Sequence, residues 1–196
     1  MRIYMYVVID NENLYKEYKS LEKDYDELIT VYRYSDFIKL KEYDADIAVS
    51  FDVKDFPIDG MLSILINNKI ENPTGYRCHI KTDKQMAVFK TLASIVAPGV
   101  IALDFFDVSY LLTGRKFVDY KIFEGNVEEI KNQLSNYFID DGCDYLLDLN
   151  GVDDLESIKN ILSVCKSKNS NVLLGANEED CVRLKILKMM EVKKVW

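Results

Sequence analysis

The first half of the chain alternates short apolar runs with amphipathic segments, and this alternation restricts its fold more than any other feature. Runs rich in β-branched and aromatic residues, each typical of a β-strand, lie at 3–9, 28–34, 46–51 and 76–82. Apolar residues at helical spacing predict helices at 12–24, 36–41, 60–69 and 83–96. Strands that alternate with helices form βαβ units, so the first half is predicted to be an α/β unit with a mostly parallel sheet.

The second half of the chain follows a different pattern. Strands are predicted at 116–123, 143–149, 172–175 and 182–192, and helices at 126–138 and 153–165. Four strands with two helices predict an α+β arrangement built on a four-stranded sheet. The chain has only three prolines and eight glycines among 196 residues, so we expect it to fold throughout without a long linker.

Residues 98–112, PGVIALDFFDVSYLL, join the two halves. The Pro-Gly pair ends the preceding helix, and Asp104 is placed to act as the N-cap of the next one. Asp107 then falls at the third helical position, where a carboxylate suits the positive end of the helix dipole. On the residues alone, the two acids are explained as a capping pair without chemistry, and whether they also serve a function stays open.

The segment PGVIALDFFDV resembles the synergy loop of the FtsZ/tubulin superfamily, which reads roughly Pro-Gly-Leu-Ile-Asn-x-Asp-Phe-x-Asp-Val. In that family the loop follows a long central helix, reaches into the nucleotide pocket of the next filament subunit, and helps to position the water that attacks GTP. Asp104 and Asp107 match its two acids, while Ala102 stands where the family has Asn. The resemblance therefore implies that Ala102, Asp104 and Asp107 form a subunit interface, with the two acids able to act in trans on a partner's nucleotide.

The likeness continues through residues 98–192, where CDYLLDLNGVDDLESIKNIL and SNVLLGANEEDCVRLKIL resemble elements of the FtsZ C-terminal domain. It implies an α/β, tubulin/FtsZ-like fold, in which a reduced Rossmann-like parallel sheet is joined by a central helix to an α+β C-terminal domain with a four-stranded sheet. It also divides the chain into a shortened nucleotide-binding-like domain at 1–97, which includes the central helix at 83–96, and a C-terminal domain at 98–196.

The loop after the third predicted strand departs from the family. Where the family carries Gly-Gly-Gly-Thr-Gly-Thr-Gly, this chain has DVKDFPIDG at 52–60. Glycines let backbone N–H groups wrap a phosphate, whereas this loop keeps only Gly60 and adds Asp52, Asp55 and Asp59, which would repel one. We therefore expect no bound GTP, no other cofactor and no GTPase activity within the chain itself.

Charge and composition make several other classes of protein improbable. A net charge of −8 disfavours nucleic acid as a partner. No apolar run approaches the roughly 20 residues that span a membrane, so we expect no direct membrane insertion and a cytoplasmic protein. The four cysteines form no CxxC pair and His79 is the only histidine, so no metal site is expected. The cysteines are predicted to be buried thiols, and His79 a strand residue.

Three functions agree with these expectations. The first is a degenerate FtsZ/tubulin-like protein that binds no GTP and regulates or caps a cell-division or cytoskeletal filament, with FtsZ or another tubulin-like protein as its partner. The second is a GTPase-activating subunit that acts in trans on FtsZ through Asp104 and Asp107. The third is a nucleotide-free structural protein that associates with itself.

Overall fold

The computed structural model describes residues 3–25, 27–57, 60–97, 105–138, 142–152, 154–166, 168–177 and 180–191. The strands in these ranges are β1 (Met5–Ile9), β2 (Ile29–Arg33), β3 (Ile47–Ser50), β4 (Leu62–Ile66), β5 (Cys78–Lys81), β6 (Gly114–Glu124), β7 (Asp144–Asn150), β8 (Val172–Asn177) and β9 (Arg183–Glu191). The helices are α1 (Glu12–Lys19), α2 (Tyr34–Phe37), α3 (Gln85–Val96), α4 (Phe105–Leu111), α5 (Val127–Tyr137) and α6 (Leu155–Leu162).

These strands form one mostly parallel sheet in the order β2-β1-β3-β4-β5-β6-β9-β7-β8. Strand β9 pairs antiparallel with both β6 and β7, and the other neighbours pair in parallel. The four strands predicted for the second half lie side by side and continue the sheet of the first half, because β5 pairs with β6. The predicted α/β fold with a four-stranded C-terminal sheet is confirmed.

Helices α1 and α3 cover one face of the sheet. Tyr18 of α1 and Phe89 of α3 pack with their ring centroids 5.2 Å apart, in a core cluster that also contains Ile64 of β4 and Leu187 of β9. On the other face of the C-terminal strands, α5 and α6 bury a second cluster. Because α3 contributes to a core shared by strands from both halves of the chain, it takes the position predicted for the central helix.

The helix predicted at 60–69 is wrong, because this segment contains strand β4. All five residues of β4 are buried, and the strand pairs on both sides, with β3 and with β5. A short apolar run bounded by Gly60 and Asn67 has no periodicity that separates a buried strand from a buried helix segment. Its burial on both faces of a parallel sheet favours the strand.

The other predicted elements are present with shifted ends. The helix predicted at 12–24 divides into α1, which ends at Lys19, and a 3₁₀ turn at Glu22–Asp24. Asn126 caps α5: its side chain accepts a hydrogen bond from the Glu129 N–H, and the Glu129 carboxylate accepts one from the Asn126 N–H, which completes a capping box. Sequence therefore located the elements better than it located their boundaries.

Candidate functional site

The crevice between β1 and β3 is the first candidate site. The chain leaves β1 for β2 on one side and then returns past β1 to β3 on the other. The carboxyl ends of β1 and β3 therefore form a topological switch point, where open α/β sheets bind their ligands. Asp10 and Asn11 follow β1, and Asp52 closely follows β3, so all three residues lie at this edge.

The Asp52 carboxylate is bound by the backbone at the entry to α1. Its Oδ1 accepts a hydrogen bond from the N–H of Asp10 at 3.1 Å, and its Oδ2 accepts one from the N–H of Asn11 at 2.5 Å. Backbone N–H groups at the amino end of a helix are the usual donors to a bound phosphate. Asp52 thus occupies donors that a phosphate would use, in addition to repelling it by charge.

Two further donors at this end of α1 are taken by the cap of the helix. The Asn11 side chain accepts hydrogen bonds from the N–H groups of Asn13 at 2.9 Å and Leu14 at 3.2 Å. Glu12 adds a second carboxylate in the first turn, and it pairs with Arg33 at 2.9 Å. Side chains of the same chain therefore bind four backbone N–H groups at the amino end of α1, those of Asp10, Asn11, Asn13 and Leu14.

The loop after β3 is anchored to the turn before β5. The N–H of Phe56 donates to the carbonyl of Thr74 at 3.0 Å, and the Thr74 hydroxyl donates to Asp55 at 2.6 Å. Gly75 permits this approach, because its φ is +75° and a Cβ there would lie 1.9 Å from the Phe56 carbonyl oxygen. Asp59, the remaining acid of this loop, lies outside the described residues.

The predicted interface residues are described only in part. Ala102 and Asp104 lie outside the described residues, so the capping and interface roles predicted for Asp104 remain predictions. Asp107 is exposed and is the third residue of α4, the helical position that the sequence indicated. Its predicted role in an interface is likewise a prediction.

The outward face of α4 carries two large aromatic side chains that the sequence analysis did not single out. Phe106 is 75% exposed and Tyr110 is 73% exposed, and they lie one helical turn apart. Val108 and Leu111 are buried on the inner side of the same helix. The sequence does contain a signal for this face: the two rings are four residues apart, so they lie on one side of the helix, and the buried residues lie on the other side. Adjacent exposed aromatic rings are typical of an interaction surface.

This aromatic face reaches the edge of the sheet opposite the crevice. Tyr110 lines a cavity of about 650 Å³ together with Lys116, Asp144 and Asn171, which lie near the amino ends of β6, β7 and β8. The Lys116 side chain is almost fully buried, and its Nζ lies 3.6 Å from Asp144 Oδ2. Because β1, β6, β7 and β8 all run in the same direction, these amino ends and the Asp52 crevice lie on opposite edges.

The histidine and the cysteines belong to neither predicted site, although Cys143 lines the cavity beside Tyr110. His79 is a buried residue of β5, as predicted, with Nε2 2.8 Å from the Asn67 carbonyl oxygen. All four cysteines are free thiols, and burial raises the pKa of Cys78 to about 12. Only Cys78 is buried as predicted. Cys143 and Cys165 are partly exposed and Cys181 is exposed, so the prediction of burial is wrong for these three cysteines.

Metal-ligand clusters and membrane-spanning helices are both absent from the residues that the structure describes. Among those residues, no three His, Cys, Asp or Glu side chains are grouped so that they could hold a metal ion. The helices described there are too short or too polar to cross a membrane.

Comparisons with known proteins identify the fold. No family model and no curated protein matches the chain. Among solved structures, CetZ1 from Haloferax volcanii, a GDP-bound monomer, aligns with a TM-score of 0.52 and 9% identity over 100% of this chain and 96% of that one. The chain has a tubulin/FtsZ-like fold.

Two further structures of this group align less well. The GTPγS-bound protofilament of CetZ2 from Haloferax volcanii gives a TM-score of 0.48 and 10% identity, over 89% of this chain and 72% of that one. CetZ from Methanosaeta thermophila strain DSM 6194 gives a TM-score of 0.41 and 10% identity, over 98% and 62%. At 9% identity the likeness to CetZ1 extends to the tubulin/FtsZ-like fold and not to the roles of individual residues.

Proposed function

We propose that the chain binds no guanine nucleotide and docks onto a nucleotide-bearing subunit of a tubulin/FtsZ-type filament. Docking uses residues 98–107 and the outward face of α4. The docked chain regulates or caps a cytoplasmic filament, such as the division filament that FtsZ forms. The observation that carries the proposal is Asp52, whose carboxylate holds two backbone N–H groups at the entry to α1.

A phosphate that entered the crevice would meet this carboxylate. Two negative charges about 4 Å apart repel each other by about 4 kcal/mol at an effective dielectric constant near 20. Since about 1.4 kcal/mol is a factor of ten in affinity, the repulsion alone weakens binding by roughly three orders of magnitude. The CetZ1 structure contains GDP, so the fold itself accommodates a nucleotide, and the proposal concerns the crevice of this chain.

The outward face of α4 supplies the docking surface. Phe106 and Tyr110 present two exposed rings, with the Asp107 carboxylate beside them. Burial of aromatic rings provides much of the affinity at protein interfaces, and a nearby charge selects the partner. This face suits a partner surface with an apolar pocket next to a positive charge.

Charge favours a filament subunit over a second copy of this chain as the partner. The crevice carries Asp10 and Asp52, so a head-to-tail contact between two copies that placed Asp107 at the crevice would bring it toward other carboxylates. Like charges across an interface cost several kcal/mol and suppress the wrong partner. A molecule with one competent face and one incompetent face ends the growth of a head-to-tail filament.

The test is filament length and GTP turnover of an FtsZ-type protein in the presence of substoichiometric amounts of this chain. The wild-type chain is expected to shorten filaments, and the double variant Phe106→Ala/Tyr110→Ala to lose the effect. Leu155→Ala is the matched control, because Leu155 is 58% exposed on α6. Filaments unchanged by the wild-type chain contradict the proposal. Faster GTP turnover that Asp107→Ala abolishes identifies activation in trans instead of capping.

A further inference from the structure

A buried carboxylate fastens the last turn of α3 to the C-terminal strands. Asp148 of β7 is 0% exposed. Its Oδ1 accepts hydrogen bonds from the Ser94 hydroxyl and from Asn177 Nδ2, each at 3.2 Å, and its Oδ2 lies 3.1 Å from Lys185 Nζ. Four elements, α3, β7, β8 and β9, therefore meet at one side chain.

A second residue of the sheet, Asn177 of β8, also binds Ser94. Asn177 Nδ2 also lies 3.0 Å from the Ser94 hydroxyl oxygen and 3.2 Å from the Ser94 carbonyl oxygen. The helix ends two residues later, at Val96, and Ala97 is the last described residue before the predicted loop. The hydrogen bonds of Asp148 and Asn177 with Ser94 thus anchor the end of α3 immediately before residues 98–104.

At the other end of α3, Gln85 Nε2 donates to the Ile66 carbonyl of β4 at 2.9 Å, and the contact between that bond and Ser94 is apolar. Val88, Phe89, Leu92 and Ala93 are buried in the shared core. Apolar burial is non-directional, so it holds the helix against the sheet without fixing its position along the axis, whereas hydrogen bonds require defined distances and angles. Buried ionic groups are better attested as determinants of register than as sources of stability.

We propose that Asp148 is a positioning residue that fixes where α3 ends, and thereby where the chain enters the 98–104 loop and α4. Its consequence for docking rests on the proposed function. The positioning itself is a property of the isolated chain and is measured without a partner.

Hydrogen exchange in the last turn of α3, at residues 94–97, tests the positioning. Ser94→Ala removes the anchor on the helix, and Asp148→Leu/Lys185→Met replaces the buried ion pair by apolar side chains, a change that is often neutral or stabilising overall. Both variants are expected to raise exchange at 94–97 on the order of tenfold, with the most slowly exchanging amides unchanged. Ser94→Thr retains the hydroxyl and should restore protection.

Thr91→Val is the matched control. Thr91 is also buried on α3, but its hydroxyl donates to the Ala87 carbonyl of the same helix at 2.9 Å. Exchange at 94–97 that stays at the wild-type rate in Ser94→Ala and in the double variant overturns the proposal. An equal rise in Thr91→Val also overturns it, because the loss would then be that of any hydroxyl on α3.

Filament assays on the same variants separate this inference from the proposed function. If docking occurs as proposed, Ser94→Ala should weaken the effect on filaments about fivefold to tenfold, while Thr91→Val should not. If the wild-type chain does not alter filaments, the proposed function has failed. The exchange measurement still decides the positioning role of Asp148.

Discussion

Replacement of Asp52 by Ala should destabilise the protein and open an anion site at the same time. The carboxylate accepts hydrogen bonds from Asp10 and Asn11 at 3.1 and 2.5 Å. Hydrogen bonds to a charged group contribute about 1.5–3 kcal/mol each, but Asp52 is only partly buried and water replaces part of the loss, so we expect about 2 kcal/mol in total. For a domain of this size the corresponding fall in Tm is roughly 4–8 °C.

The same variant leaves two backbone N–H groups at the amino end of α1 without their carboxylate, so phosphate should stabilise it. For a dissociation constant of about 10 mM, phosphate at about 100 mM adds roughly 1.4 kcal/mol to the free energy of unfolding. The wild-type chain should gain only the general stabilisation that phosphate gives to any folded protein. The difference between the two responses reports the opened site.

Thermal unfolding followed by circular dichroism, in phosphate and in chloride of equal ionic strength, measures both effects. Asp55→Ala is the matched control, because Asp55 belongs to the same loop but accepts its hydrogen bond from Thr74 and not from α1. An equal phosphate response in the wild-type chain, the control and Asp52→Ala would refute the assignment of Asp52 to the anion position. A Tm unchanged by Asp52→Ala would refute the stability argument.

Three further outcomes are expected. Gly75→Ala should lower the free energy of unfolding in urea by about 3 kcal/mol or more, because φ is +75° and the new Cβ would meet the Phe56 carbonyl oxygen. Burial raises the pKa of Tyr6 to about 12, so stability should fall as pH rises from about 10, where the unfolded chain ionises, to about 12. Tyr6→Phe should reduce that fall in urea titrations without removing it, because burial also raises the pKa values of Tyr18, Tyr25, Tyr76 and Tyr137. Iodoacetamide should modify exposed Cys181 well before buried Cys78 in the folded protein, and equal rates by peptide mass spectrometry would contradict the burial.

Most helices and strands could be predicted because the spacing of apolar residues within each segment indicates its secondary structure. Leu14 and Tyr18 mark the helical stripe of α1, and the second half shows its four strands as separate apolar runs. Strand β4 could not be assigned in the same way, since Leu62–Ile66 is apolar except for Ser63 and only its two neighbours in the sheet determine its conformation. Pairing with strands distant in the sequence therefore determines the conformation of a segment whose local pattern fits both a strand and a helix.

Less of the candidate site could be predicted from the sequence. The acidity of the loop after β3 predicted a poor phosphate site, but the sequence does not show that Asp52 binds the backbone of Asp10 and Asn11, some 42 and 41 residues away. That contact depends on the register between β1 and β3. The aromatic face of α4 was missed because Phe106 and Tyr110 resemble core residues until the buried side of the helix is known.

Equilibrium binding of fluorescent GTP and GDP to the purified wild-type chain tests the central claim most directly. With the Asp52 carboxylate on the amino end of α1, we predict no saturable binding of either nucleotide up to about 1 mM. Saturable binding with a micromolar dissociation constant, competed by unlabelled GTP, would contradict the account.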